Sequence, residues 1–333
     1  MSGGSHPRAH YNVEQATSGF FEAFLNPLTR SGLSAILRLS PVTAISREED
    51  VETMSQVDAL IFDVDGVLVD ANDTYLKVIQ RALKIFLGDS GEISRGEHFT
   101  PWQYRTAKGH PCFNDDYDLA WFGLCALLEF RGASPSSKRE EKLPEAIWRE
   151  LLQECPLEGS LSWIERRFPQ GPPREEIRTL CEEIYFGEEY SGMTGKSPLR
   201  PLERGLWKLD TPLVRWHWSS LPLPSAIYTG RPETELRLAL GVLRWEDFPR
   251  DRCITPDLGI SKPSPRGLEV LAEAMQSTNP AFFGDSQSDA QAFRSYGRGR
   301  FCPIGSLIPE MPRWYPSLNE ALEDLGISVP SPE

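Results

Sequence analysis

Reactive side chains gather in four short segments: Asp63-Val64-Asp65-Gly66, Thr229-Gly230-Arg231, Lys262-Pro263, and Gly284-Asp285 running on to Asp289. Asp63 and Asp65 stand two apart, so an extended chain points both to one side. Carboxylates held close repel, and the usual remedies are protonation of one or capture of a cation. An all-oxygen donor set around an open site suits Mg²⁺, which keeps several waters and binds through one or two carboxylates plus a phosphate. In phosphoryl transfer a carboxylate nucleophile must approach a dianionic phosphate monoester. Mg²⁺, Lys262 and the Thr229 hydroxyl would offset that repulsion and stabilise charge on the transferring group.

These segments need elements that bring them together. Ala59–Phe62 is a short apolar run without helical period, bounded by Asp58 and Asp63, which suits a buried strand of a parallel sheet. Further strands are predicted at Ser225–Tyr228, Arg252–Thr255, Ala281–Phe283 and Arg300–Pro303. Helices are predicted over Glu233–Leu243, Pro265–Met275, from the GDSQSD segment to Tyr296, and over Ser317–Leu325. Strand and helix alternate, which implies an α/β fold with a Rossmann-like, doubly wound parallel sheet. Ligands of such sheets bind at the carboxyl ends of the strands near a switch in strand order, and all four segments would converge there.

Between the first two strands the pattern is helical, with apolar residues at helical spacing over Thr74–Phe86, Ala120–Phe130, Leu143–Leu152 and Glu175–Tyr185. GASPSSKREEK (132–142) and FPQGPP (168–173) read as loops. The expected organisation is a partly disordered extension over 1–57, with helical stretches around Phe20–Leu25 and Leu33–Leu39, and a catalytic core over 58–71 and 212–325. A helical domain over 72–211 is inserted in that core, and 326–333 form a tail. Trp216 and Trp218 flank His217 with period two, which fits a half-exposed strand or a contact at the domain junction.

Composition narrows the function classes. Of 333 residues, 40% are apolar and 25% charged, the range of a folded soluble protein. The net charge of −13 argues against nucleic acid or an anionic membrane as partner, since both repel an acidic surface. Six cysteines without a CxxC pair read as reduced, mostly core-filling thiols, and the histidine spacing matches no zinc site. No apolar run approaches the ~18–20 residues that span a bilayer, and the N-terminus has no hydrophobic signal segment. A cytoplasmic protein is expected, with organelle targeting by the extension left open. The oligomeric state is not set by the sequence.

As a set, FDVDGVLVD, TGR, KP and GDSQSD resemble, in order, the four motifs of the haloacid dehalogenase-like superfamily. The long insertion after the first motif resembles the cap of subfamily I, in its IA form. The resemblance implies an aspartyl phosphate on Asp63, with Asp65 as general acid and then general base. It implies phosphate binding by Thr229, Gly230, Arg231 and Lys262, and metal ligation by Asp63, Asp285 and the backbone carbonyl of Asp65. Asp289 would hold metal waters or Lys262. Superfamily dehalogenases lack the second aspartate, so Asp65 favours phosphoryl chemistry.

GHPCFNDDYDLAWFGL (109–124) and YFGEEY (185–190) are similar to cap segments of a group of subfamily IA hydrolases associated with histidine-biosynthesis functions. This implies a small phosphorylated metabolite as partner, with Asn114 and Asp115 as cap contacts. The acidic cluster from Asn114 to Asp118 has two readings: a helix start, or a loop that meets a cationic part of the substrate. The function expected is Mg²⁺-dependent hydrolysis of a small phosphate monoester. The alternatives are a phosphomutase acting between hydroxyls of a sugar phosphate, or a non-catalytic metabolite-binding protein on the same fold.

Overall fold

The apolar runs become strands where expected. The computed structural model describes residues 56–88, 98–110, 112–133, 142–157, 159–306, 308, 311 and 313–329. The helical stretches expected around Phe20–Leu25 and Leu33–Leu39 lie outside them, as does most of the 132–142 loop. Strands are β1 (Ala59–Phe62), β2 (Val69–Asp70), β3 (Thr211–Pro212), β4 (Ser225–Tyr228), β5 (Cys253–Ile254), β6 (Pro280–Gly284) and β7 (Arg300–Pro303). Helices are α1 (Asn72–Phe86), α2 (Pro101–Lys108), α3 (Asp116–Ala133), α4 (Glu145–Glu154), α5 (Ser160–Arg167), α6 (Arg174–Phe186) and α7 (Tyr190–Thr194). They continue with α8 (Glu233–Leu243), α9 (Arg266–Ala274), α10 (Gln287–Tyr296) and α11 (Leu318–Asp324).

Five strands form one sheet in the order β5-β4-β1-β6-β7, with every pairing parallel. β1, β4 and β6 are buried along their whole length. Their alternating residues serve two apolar layers, as period two requires. Leu60, Phe62, Ile227 and Phe283 pack toward α8 and α11, on Leu236, Leu240 and Leu322. Ile61, Tyr228 and Phe282 face α9 and α10, on Leu268, Leu271 and Ala292. The chain runs from β4 to β5 on one side of β1 and returns to β6 on the other. The switch in strand order therefore lies at β1, and the carboxyl end of β1 opens into the crevice.

Helices α1–α7 draw their buried apolar residues into a separate cluster between Ala71 and Tyr190. α1 supplies Tyr75, Val78, Ile79, Ala82 and Leu83, one stripe at helical spacing. α3 is central, buried at nearly every position from Tyr117 to Leu127. The chain leaves the sheet layer through β2 and returns through β3, which pair antiparallel with Val69 opposite Pro212. All described residues belong to one compact unit, 53–333.

Sequence periodicity did not anticipate α2, α5 and α7, each eight residues or shorter. α2 nevertheless carries a legible start. Thr100 Oγ1 accepts the Gln103 N–H at 3.2 Å, the Thr100 N–H donates to Gln103 Oε1 at 2.8 Å, and Pro101 stands at the first helical position. The segment around His217 is not a strand. Trp216 is buried against Trp245, 5.4 Å between ring centroids, and Trp218 opens a short 3₁₀ turn. Among the described residues no helix is long and apolar enough to cross a membrane.

Candidate active site

Asp63 directly follows β1, and its carboxylate is nearly buried. Its Oδ1 accepts the Val64 N–H at 2.7 Å and lies 2.7 Å from Lys262 Nζ. The same ammonium is 2.6 Å from Asp289 Oδ1, in the first turn of α10. Lys262 is thus a bridge between two carboxylates, and Tyr228 and Phe282 shield it with ring centroids 5.6 and 5.9 Å away. Burial opposes its charge, but Asp289 and Asp63 outweigh burial and raise its pKa. Burial pushes Asp63 up to about 7; Lys262 pulls it down, and Asp289 and Asp65 add to the rise. Burial raises Asp285 well above the ordinary carboxylate range, and Asp63 and Asp289 reinforce it.

The sheet ends place a third carboxylate against the first two. Oxygen atoms of Asp63, Asp285 and Asp289 lie within 4.8 Å of one another. Gly66 makes the approach possible: its φ is +70°, and a Cβ there would meet Asp285 Oδ2 at 2.0 Å. Lys262 pairs with Asp63 and Asp289 but not with Asp285, so the three carboxyl groups have one ammonium between them and the third is left without a cation. Hard oxygen donors with a charge deficit fit Mg²⁺. The Asp65 side chain is not part of this cluster, so it would contribute only through its backbone carbonyl.

Asp65 instead turns to Arg231. Its Oδ1 is 2.6 Å from Nη2 and 3.0 Å from Nε, and its Oδ2 is 3.2 Å from Nε. Arg231 is 2% exposed. Its Nη2 also reaches Asp210 Oδ2 at 3.0 Å, its Nη1 donates to Tyr185 Oη at 3.0 Å, and its guanidinium lies 5.5 Å from the Tyr75 ring centroid. These donors anchor Asp65, whereas the sequence reading had Arg231 reaching toward a substrate anion. Thr229 is fully buried at the end of β4, and its hydroxyl oxygen accepts the Arg231 N–H at 3.1 Å.

The loop before α3 and the start of that helix roof the site. Asn114 lies on Gly230, where a Cβ would meet Asn114 Nδ2 at 2.6 Å, and its Oδ1 accepts the Ser288 hydroxyl at 3.1 Å. Asp115 caps α3, accepting the Tyr117 and Asp118 N–H groups at 2.9 and 3.2 Å, and its Oδ2 is 2.8 Å from Arg178. Asp116 pairs with Lys108 at 3.1 Å and Asp118 with Arg174 at 2.6 Å. The acidic cluster is therefore a charge-paired helix start, and the expected receptor for a cation is already filled by protein side chains. Between roof and sheet lies a cavity of about 60 Å³, lined by Asp63, Asp65 and Asp285 below and by Lys108, Asn114 and Tyr117 above. Of the expected residues, Gly230, Arg231, Asn114 and Asp115 also line it, whereas Thr229, Lys262 and Asp289 do not: Thr229 reaches it through its contact with Arg231, Lys262 through its contact with Asp63, and Asp289 through Lys262.

Several site residues escaped the sequence reading. Glu235, in the first turn of α8, is buried and accepts the Tyr75 and Tyr117 hydroxyls, each at 2.8 Å. Burial pushes its pKa up to about 7, against the pull of Arg231 and the two hydroxyls. Lys108, Arg178 and Asp210 were also missed. Glu235 stands four residues after Arg231, a weak local signal that an ordinary acidic helix start conceals. Arg178 meets Asp115 and Asp210 meets Arg231, 63 and 21 residues away, whereas Lys108 meets Asp116 only eight residues on.

No family model and no curated protein matches the chain. Among solved structures, phosphatase Tt82 from Thermococcus thioreducens is similar over 80% of this chain and 99% of that chain, with TM-score 0.55 and 24% identity. A subfamily IA hydrolase of the haloacid dehalogenase superfamily from Geobacter sulfurreducens is similar over 81% of this chain and 97% of that chain, with TM-score 0.45 and 17% identity. The first of these likenesses shows a shared α/β fold.

Proposed function

We propose that the chain is a haloacid dehalogenase-like phosphatase that hydrolyses a small phosphate monoester through an aspartyl phosphate on Asp63. The observation that carries this reading is the Asp63–Lys262–Asp289 bridge, with contacts of 2.7 and 2.6 Å, set beside Asp285 at the crevice. Motif order and the fold shared with a protein named as a phosphatase support it.

Asp63 would attack phosphorus along the opening of the cavity, with Lys262 holding its carboxylate and meeting a phosphoryl oxygen. Thr229 and the backbone at Gly230 would receive a second oxygen. Asp65 would give a proton to the leaving oxygen and then take one from the attacking water, steadied by Arg231. Asp63, Asp285 and the Asp65 carbonyl would hold Mg²⁺, which supplies charge neutralisation for the dianionic group when bound. The helical roof would enclose a small substrate and keep bulk water away.

The test is free-phosphate release from a panel of sugar phosphates, phosphoserine and histidinol phosphate, with Mg²⁺ or chelator, beside Asp63→Asn. Metal-dependent release that disappears in a folded Asp63→Asn variant is expected. Tight metabolite binding without release under any metal would overturn the phosphatase. Transfer to a second hydroxyl without release would identify a mutase.

A further inference from the structure

The cavity between roof and sheet carries more acid than its own cations answer. Six carboxylates line it: Asp63, Asp65, Asp115, Asp116, Asp285 and Glu235. Four of them have an ion-pair partner. Asp63 pairs with Lys262 at 2.7 Å, Asp65 with Arg231 at 2.6 Å, Asp115 with Arg178 at 2.8 Å and Asp116 with Lys108 at 3.1 Å. Arg231 is committed further, to Asp210 at 3.0 Å. Among the described residues, Asp285 and Glu235 have no such partner. Asp285 belongs to the carboxylate cluster suited to a metal. Glu235 lies outside that cluster, and no catalytic step uses it.

Glu235 is 4% exposed, so water compensates a charge there poorly. The Tyr75 and Tyr117 hydroxyls each donate to one of its oxygens at 2.8 Å. An ionised carboxylate has about four acceptor sites, so each oxygen can accept once more. Burial raises its pKa to about 7, as befits a carboxyl whose contacts are neutral hydroxyls. A cation carried in by a ligand would find here an acid that the protein leaves uncompensated. Size limits that ligand. The cavity measures about 60 Å³. A buried water needs roughly 10–15 Å³ of such space, so there is room for a phosphoryl group at Asp63 and a chain of a few atoms beyond it.

We propose that Glu235 is a specificity-determining residue of this site and takes the ammonium of its substrate, a phosphate monoester of a short amino alcohol. The inference rests on the phosphatase reading and names its substrate class. The phosphoryl group lies against Asp63, and the ammonium donates to the open acceptor sites of Glu235, with Tyr75 and Tyr117 fixing the carboxylate.

The experiment measures free-phosphate release in Mg²⁺ from 2-aminoethyl, 2-hydroxyethyl and n-propyl phosphate, by wild type and Glu235→Gln. The three esters have equal length and differ in the terminal group: ammonium, hydroxyl or methyl. Wild-type kcat/KM should be about tenfold or more higher for the aminoethyl ester than for the propyl ester, as for a hydrogen bond between charged groups. In Glu235→Gln that ratio should fall to near one. Equal kcat/KM for the three esters in wild type would overturn the proposal, as would a preference for the hydroxyethyl ester, or a folded Glu235→Gln that keeps the wild-type ratio. If Glu235→Gln does not fold, the wild-type ratio decides. Release from none of the esters would count against the phosphatase, and calorimetric titration then reads the subsite alone. Tighter binding of the aminoethyl than of the propyl ester would keep the ammonium site, and equal or absent binding would remove it.

Discussion

At the scale of single residues, the site depends on two close approaches. Gly66 lets Asp285 lie against the backbone that follows Asp63. Gly66→Ala adds a methyl group where Asp285 Oδ2 now sits and forces a left-handed φ that costs ~1–2 kcal/mol. Calorimetric titration with Mg²⁺ should show affinity about tenfold weaker or worse, as when a ligand loses its support. Unchanged affinity would remove Asp285 from the cation site. Arg231 joins Asp65 to Asp210, whose side chain is 1% exposed. Arg231→Met leaves a buried carboxylate without its cation and should lower stability by ~3 kcal/mol, read by urea unfolding. A midpoint equal to wild type would show that Asp210 does not depend on Arg231.

At the scale of elements, Glu235 connects α8, which packs on the sheet, with Tyr75 of α1 and Tyr117 of α3. Its folded pKa of about 7 stands above the ordinary 4.5 because burial favours the neutral acid. The folded state therefore binds the extra proton, so stability from this group is full below the ordinary value and is lost as pH rises to about 7. Over that window wild type should lose up to ~3 kcal/mol relative to Glu235→Gln. Urea unfolding at pH 4.5 and pH 7 measures the difference, and parallel profiles would contradict a buried titrating Glu235. The long elements were legible because their apolar period was long enough to show. Glu233–Leu243 was placed at the bounds observed for α8. α2 was missed because eight residues hold barely two turns of period, although its capping box and Pro101 marked its start.

At the scale of the whole molecule, three carboxylates at one sheet edge are held together by folding and repel one another. A cation that binds only this arrangement must stabilise the fold. At a hundred times its dissociation constant Mg²⁺ should add ~2.7 kcal/mol, seen as a rise in Tm over a chelator control. The rise should disappear in Asp285→Asn; an equal rise there would mean that Mg²⁺ acts elsewhere. The sequence by itself determined the parallel sheet and the meeting of its motifs, because buried strands need apolar runs and strand ends inherit the residues that follow them. It also marked Asp63, Lys262 and Asp285 as charged groups that would meet at the strand ends, since residue type and local spacing carry that information. Only the tertiary structure decided how charges pair across the crevice. Asp65 goes to Arg231, the cap acids to Lys108, Arg174 and Arg178, and Glu235 to two tyrosines. Apart from Lys108 and Asp116, these pairings join residues far apart in the chain, and their geometry exists only once helices and sheet have packed.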